Sequence, residues 1–425
     1  MSIKSLKVES AVSRVAIVAA CVIALLMTYT FAKWSVGNSI SLQTEYKEIA
    51  DIAKALAPSD PQPHYTSAAL LEKTFLPGDF EKSLQEYETA TALSPNNYLL
   101  WLALGKARER SGDAEGAEKA LRKAFELAPN YAQVQWTLGN VLLRRGKNEE
   151  AFLEIRRAVE SDQNFANPAV STAWQIFDGN IAEIRQAIGE SPNTNAALAI
   201  FLARQKRFDE ALDVWNSLPS EMKTSVFKQK GEELFNQFVE AKKIRAAQQI
   251  SAQINASEAG DSGSGKIANG GFESEIKMKN AGLFEWHVVA GNHPQIGLDN
   301  QSKRGGEHSL FLIFNSADGK EFRQISQTVP VEPGKNYRFS AAYKSDLKAP
   351  ATVRWEITDA ADGRVIAVTE AAAEKSDWAN LSIDFSAGEA EGIVVKLARA
   401  NCKSQICPIS GKLWFDDITL SPTNQ

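Results

Sequence analysis

The chain has 425 residues, 44% hydrophobic and 23% charged, ordinary globular material with enough apolar content for two or three separate cores. Its net charge of -5 excludes a polycation built to neutralise nucleic-acid phosphates, so DNA and RNA are set aside as partners.

Lys4, Lys7 and Arg14 lie in residues 1–14, and an uncharged run, VAIVAACVIALLMTYTFA, follows over residues 15–32. Its 18 residues, at about 1.5 Å each, reach roughly 27 Å, close to the bilayer hydrocarbon thickness of about 30 Å. The run predicts a single transmembrane helix with Tyr29 and Trp34 at the far interface. The positive-inside tendency makes 1–14 a cytoplasmic tail and places the bulk of the chain in the periplasm of a bacterial inner-membrane protein. Two other readings exist. Thr30 and Ala32 could precede a signal-peptide cut, although the apolar run is long for that. Val18-Ala19-Ala20-Cys21 has the look of a lipobox, but the apolar run continues well past the cysteine.

After the span the sequence repeats. Pro61, Pro95 and Pro129 are 34 residues apart, and Gly78, Gly112 and Gly146 keep the same interval, as do Ala90, Ala124 and Ala158. Gly105 and Gly139 place a small residue where two helices cross. Gly112 and Gly146 suit the left-handed end of a first helix, and Pro95 and Pro129 stop a second one. This pattern resembles the tetratricopeptide (TPR) repeat, a 34-residue helix-turn-helix unit. Three units are recognisable, 61–94, 95–128 and 129–162. Beyond residue 165 the period fades while helical spacing persists, with a capped start at Ser191-Pro192 and a further unit around ALAIFLARQKRFDEALDVWNSL. The expected element is an all-α TPR-type solenoid over residues 40–255. The resemblance implies a groove that takes a protein partner, which the combination with the C-terminal domain read below makes a polysaccharide polymerase, ligase or export component. Trp101, Trp136, Trp174 and Trp215 read as core residues rather than ligand contacts.

A Gly/Ser-rich stretch over 256–266 reads as a linker, after which the composition turns to alternating runs: YRFSAAY, TVRWEI, LSIDF, IVVKLA and KLWFDDITL. Turn signals at Pro333-Gly334 and Asp362-Gly363 separate them. Residues 267–422 thus predict an all-β sandwich. Several pieces in order resemble the jelly-roll, galactose-binding-like carbohydrate-binding modules of the CBM4/9 type. They are Asn269-Gly270-Gly271-Phe272-Glu273, Phe284-Glu285-Trp286, Gly306-Glu307-His308-Ser309-Leu310, Gln324-Ile325-Ser326-Gln327, a segment from Val331 to Ser340, Trp378, and Trp414 to Leu420. The resemblance implies glycan binding, for which Trp286, Tyr343 and Trp355 are the aromatic candidates and Arg323 and Arg354 the polar ones, with Gln324 and Glu356 near them. Strand parity opposes part of this, since Val353, Trp355 and Ile357 share one face as a core stripe does. The resemblance also implies a structural calcium between Glu273 and Asp416 or Asp417, unless these acids are solvated or cap backbone amides.

Cys402 and Cys407 are close enough in sequence to close a local loop as a disulfide outside the cytosol; free thiols or a metal are the alternatives. No nucleophile elbow, phosphate loop, HExxH or dinucleotide fingerprint occurs, and His64, His287, His293 and His308 form no recognisable set. A carboxylate pair such as Glu356 with Asp384 is too common by chance to make a glycosidase. The chain therefore reads as a multidomain α plus β, non-enzymatic scaffold for assembling, exporting or modifying a surface polysaccharide. The main alternative is an envelope-complex assembly factor whose β domain contacts protein.

Overall fold

A computed structural model describes residues 10–74, 76, 78–255, 263–317, 321–348, 352–400 and 407–423. The described residues fall into two compact units, divided between Ala197 and Leu198, and each is taken by itself.

In the first unit, α1 runs unbroken over Ala11–Gln43 and is the one described helix long and apolar enough to cross a membrane. It is longer than the apolar run of residues 15–32 because its last turns pack on the helices that follow. Gly37 and Ser41 are its only buried residues, and Gly37 packs on α2 (Lys47–Leu56). A Cβ on Gly37 would stand 2.8 Å from the Ala57 Cβ and 2.9 Å from the Ala53 carbonyl, so only glycine allows this approach. Asn38 Nδ2 donates to Asp60 Oδ2 at 2.7 Å, and Thr66 Oγ1 donates to the Ser41 carbonyl at 3.0 Å. The end of α1 is thereby packed into the helices that follow.

Helix pairs follow: α3 (Pro61–Leu71) with α4 (Asp79–Leu93), α5 (Tyr98–Arg110) with α6 (Ala114–Leu127), and α7 (Ala132–Arg144) with α8 (Asn148–Ser161). Each repeat unit read from the sequence contains one pair. Asn97 and Asp113 cap their helices by accepting the backbone N–H of Leu99 and Gly116. Gly112 and Gly146 take φ of 84° and 72° between paired helices, the backbone that glycine accepts at least cost. A Cβ on Gly105 would meet the Leu121 side chain at 2.5 Å, and one on Gly139 would meet Ile155 Cγ1 at 2.8 Å. Ala117, Ala120 and Ala124 are buried along α6 as their helical spacing requires. Then come α9 (Ala166–Ile176), α10 (Ile181–Ile188) and α11 (Pro192–Arg204), and the unit boundary falls inside α11.

The second unit joins α12 (Phe208–Asn216), α13 (Ser220–Thr224), α14 (Lys228–Glu240) and α15 (Ile244–Ile254) to a two-sheet sandwich. Its strands are β1 (His287–Val288), β2 (Gln295–Asp299), β3 (Ser309–Ser316), β4 (Ile325–Pro330) and β5 (Asn336–Leu347). They continue with β6 (Val353–Asp359), β7 (Val365–Val368), β8 (Lys375–Ser386), β9 (Gly392–Arg399) and β10 (Ile409–Pro422). One antiparallel sheet has the order β1-β4-β9-β6-β7 and the other β2-β3-β10-β5-β8. Between them Trp355, fully buried, packs on Phe415, Phe339 and Trp286 with ring centroids 5.1, 5.7 and 6.0 Å away.

The helices do not hang free of the sandwich. Lys243 Nζ stands 3.1 Å from Glu391 Oε1, and a Cβ on Gly392 would collide with the Ile244 side chain at 2.6 Å. Of the stretch read as a linker, 256–262 lies outside the described residues. Gly265 is bound to the sandwich, donating its N–H to the Pro330 carbonyl at 2.7 Å. Cys407 is disulfide-bonded and Cys21 is free and exposed, while Cys402 lies outside the described residues.

Candidate functional site

The site begins with strand parity. Ile325 and Val329 of β4, Ile393, Val395 and Leu397 of β9, and Val353, Trp355 and Ile357 of β6 all belong to the sandwich core. Their alternate neighbours therefore form the outer face of the β1-β4-β9-β6-β7 sheet. Register then aligns them: His287 lies opposite Ser326, Ser326 opposite Lys396, Lys396 opposite Glu356, and Glu356 opposite Val368. From His287 to Glu356 is three strand spacings, roughly 14 Å at about 4.8 Å each.

Arg354, two residues before Glu356 and on the same face, donates to Glu356 Oε1 from Nη2 at 2.9 Å and from Nε at 3.3 Å. Lys396 Nζ stands 3.6 Å from Glu356 Oε2. The Glu356 side chain is 15% exposed, against 34% for Arg354 and 25% for Lys396, so the carboxylate lies between two cations that reach further out. Ile244 of α15 covers Gly392 and closes one end of the face. This is a half-buried polar floor with spare N–H donors in a row.

The predicted site residues separate on this framework. Trp286, Tyr343 and Trp355 all sit in the sandwich core, at 3%, 7% and 0% exposure, and present no ring to solvent. For Trp355 and Tyr343 the cause is parity, since Val353 and Ile357 share the core face of β6 with Trp355 and Phe339 and Ala341 share that of β5 with Tyr343. Trp286 is stacked on Phe272 and donates to the Asn269 carbonyl at 3.0 Å. The Tyr343 hydroxyl accepts from the Ala373 N–H. Arg323 stands apart at the β1 edge, where Nε donates to the Val289 carbonyl at 2.8 Å. Arg354 alone of the five belongs to the outer row. Sequence reasoning missed Lys396, Ser326 and His287. The alternation of IVVKLA marks Lys396 as outward-facing, but its pairing with Glu356 depends on register.

Two family models match parts of the chain, a carbohydrate binding domain over residues 264–398 and a tetratricopeptide repeat over residues 78–132 and 102–165. The chain joins tetratricopeptide repeats to a carbohydrate-binding domain. Both are non-catalytic kinds of domain, the first protein-binding. No curated protein matches the sequence. Among solved structures, one described as "CBM4 structure and function" is 19% identical, covering 37% of this chain and 99% of that one, with a TM-score of 0.28. MamA from residue 41 onward, of Desulfovibrio magneticus RS-1, is 16% identical over 43% of this chain and 92% of that one, TM-score 0.29. YrrB, a TPR protein with an unusual peptide-binding site, is 15% identical over 50% of this chain and 94% of that one, TM-score 0.27.

Away from its outer face, the carbohydrate-binding domain gathers Glu273, Asp416 and Asp417 about the loop 304–308. Glu273 Oε2 accepts the Glu307 N–H at 2.8 Å, and Asp416, fully buried, accepts the N–H groups of Arg304, Gly305 and Asp417. Asp417 sits at φ 46° in a bulge of β10 with Arg304 Nε 3.7 Å away. Burial, and then the negative charge of Asp416, push the Asp417 carboxyl up, while the Glu307 N–H holds Glu273 down. Hard carboxylate oxygens suit calcium in kind. Several of these oxygens already take N–H donors, and among the described residues no group of three or more His, Cys, Asp or Glu side chains is arranged to hold a metal.

Proposed function

We propose that this protein is a single-pass bacterial inner-membrane scaffold that binds a partner protein through its repeats and glycan through the outer face of the β1-β4-β9-β6-β7 sheet, in assembly, export or modification of a surface polysaccharide. The observation that carries the glycan half is the Arg354, Glu356, Lys396 row on a domain of carbohydrate-binding kind. Paired, fixed donors of this sort suit ligands rich in oxygen acceptors. The apolar helix α1 supports the anchor, and Lys4, Lys7 and Arg14 support a cytoplasmic N-terminus.

The test is a glycan array probed with the full chain in detergent, beside a protease-accessibility assay on spheroplasts. Binding to bacterial polysaccharide with cleavage of the solenoid from outside is the expected result. Silence across the array from folded protein would move the carbohydrate-binding domain to a protein-contacting role in an envelope complex, and protection of the solenoid would overturn the topology. Calcium, held by Glu273 with Asp416 or Asp417, is a separate proposal that rests only on hard carboxylate oxygens near one loop, and the backbone N–H groups that Glu273 and Asp416 already accept stand against it. Melting of the full chain with calcium and with chelator checks it. A higher midpoint with calcium is expected, and coincident curves would remove the ion.

A further inference from the structure

We infer that the glycan taken by this face is an anionic, carboxylate-bearing polysaccharide rather than a neutral one; the inference rests on the glycan-binding reading and names its ligand class. Neutral pyranoses are held largely by their apolar faces lying against exposed aromatic rings. Among the described residues of the β1-β4-β9-β6-β7 sheet, no Phe, Tyr or Trp occupies the outer face, because the sheet's own Trp355 points into the core. The outer row instead holds two basic side chains, Arg354 and Lys396, against one carboxylate, Glu356.

Glu356 is the most buried of the three, and both its oxygens face these cations. It orients the cations and has little left to offer a sugar hydroxyl. Arg354 commits Nε and Nη2 to that carboxylate, which leaves Nη1, and Lys396 keeps donors beyond its single 3.6 Å approach. The face thus presents spare positive donors fixed in direction, with Ser326 and His287 continuing the row. Carboxylates of successive uronic acid residues match such donors, and charge-assisted bonds are the strong kind. Stacking surface, which a neutral chain would need, is what the face lacks.

The experiment uses the full chain in detergent micelles and measures affinity for oligogalacturonate and alginate oligomers, for neutral xylan and β-glucan oligomers, and for polyglutamate. The uronate oligomers should bind, weakening as salt rises, and the neutral oligomers should not. Lys396→Gln and Arg354→Gln should each lower uronate affinity about 10-fold or more, the worth of a bond to a charged group. Lys396→Arg should retain most of it, and Lys412→Gln, which removes a cation from the other sheet, should leave it within about twofold. Equal melting midpoints establish that the variants fold.

Binding of neutral oligomers indifferent to Lys396→Gln would overturn the inference and leave the glycan-binding reading standing. Failure of every glycan to bind would overturn that reading and this inference together. Polyglutamate binding as tightly as uronate, or Lys412→Gln weakening binding as much as Lys396→Gln, would reduce the effect to bulk charge and also overturn the inference.

Discussion

Glu118, on α6 and 4% exposed, is the most heavily committed carboxylate in the repeats. Arg122 Nε donates to it at 2.8 Å, Lys147 Nζ at 2.8 and 3.0 Å, and Arg145 from the neighbouring helix pair completes the cluster. Burial alone would raise this carboxyl, but the bonds from Lys147 and Arg122 outweigh it and hold the group down at about 2 from an ordinary 4.5. Held down that far, at about 1.36 kcal/mol per tenfold change in proton affinity, the group gives an upper figure of about 3 kcal/mol of stability at neutral pH. Because the partner cations are partly solvated, about 2 kcal/mol is the working expectation. A group whose folded pKa is depressed contributes its full share above the unfolded value and loses it as pH falls through the folded one. The contribution is therefore complete above about pH 5, declines below about 4.5 and is gone below about 2. Glu118→Gln should lower the helical melting midpoint of the full chain at pH 7 by several degrees, followed by circular dichroism. The gap between variant and parent should shrink steadily from pH 5 to pH 3. A gap that stays constant over that range, or no gap at pH 7, would refute the electrostatic account.

Gly139→Ala puts a methyl within 2.8 Å of Ile155 Cγ1 and 3.0 Å of the Ala151 carbonyl, and should cost about 1–3 kcal/mol in urea denaturation despite alanine's better helix propensity. His64 Nδ1 lies 2.6 Å from Glu86 Oε2, and that bond raises the imidazole. The stability it contributes is complete below the unfolded value near 6.5 and is lost as pH rises through the higher folded one. The melting midpoint should thus fall slightly from pH 6 to pH 8, and His64→Gln should flatten that slope. Trp355→Ala, emptying the sandwich core, should cost about 3–5 kcal/mol, whereas Arg354→Gln on the opposite face of β6 should leave near-parental melting; equal effects would contradict the division of β6 into core and ligand faces.

The sequence by itself determined the elements whose causes are local. A hydrocarbon-length apolar run, a 34-residue spacing of proline, glycine and alanine, and period-two alternation each dictate a backbone state from neighbours along the chain, and all three are present in the structure. The 34-residue interval even extends to Gly37, which precedes Gly105 by twice 34 and packs against α2 as Gly105 packs against α6. That residue was hidden because the position one period later is Leu71, so the interval between Gly37 and Gly105 is interrupted. Parity along TVRWEI was equally legible and already placed Trp355 in a core stripe. Tertiary structure alone decided the rest. Lys396 and Glu356 are 40 residues apart in sequence and meet only through the β9 to β6 register. The attachment of α15 to the sandwich brings Ile244 over Gly392 and Lys243 beside Glu391, residues far along the chain. Contacts of that kind arise from register and packing, which no window of sequence contains, and the candidate site is composed of them.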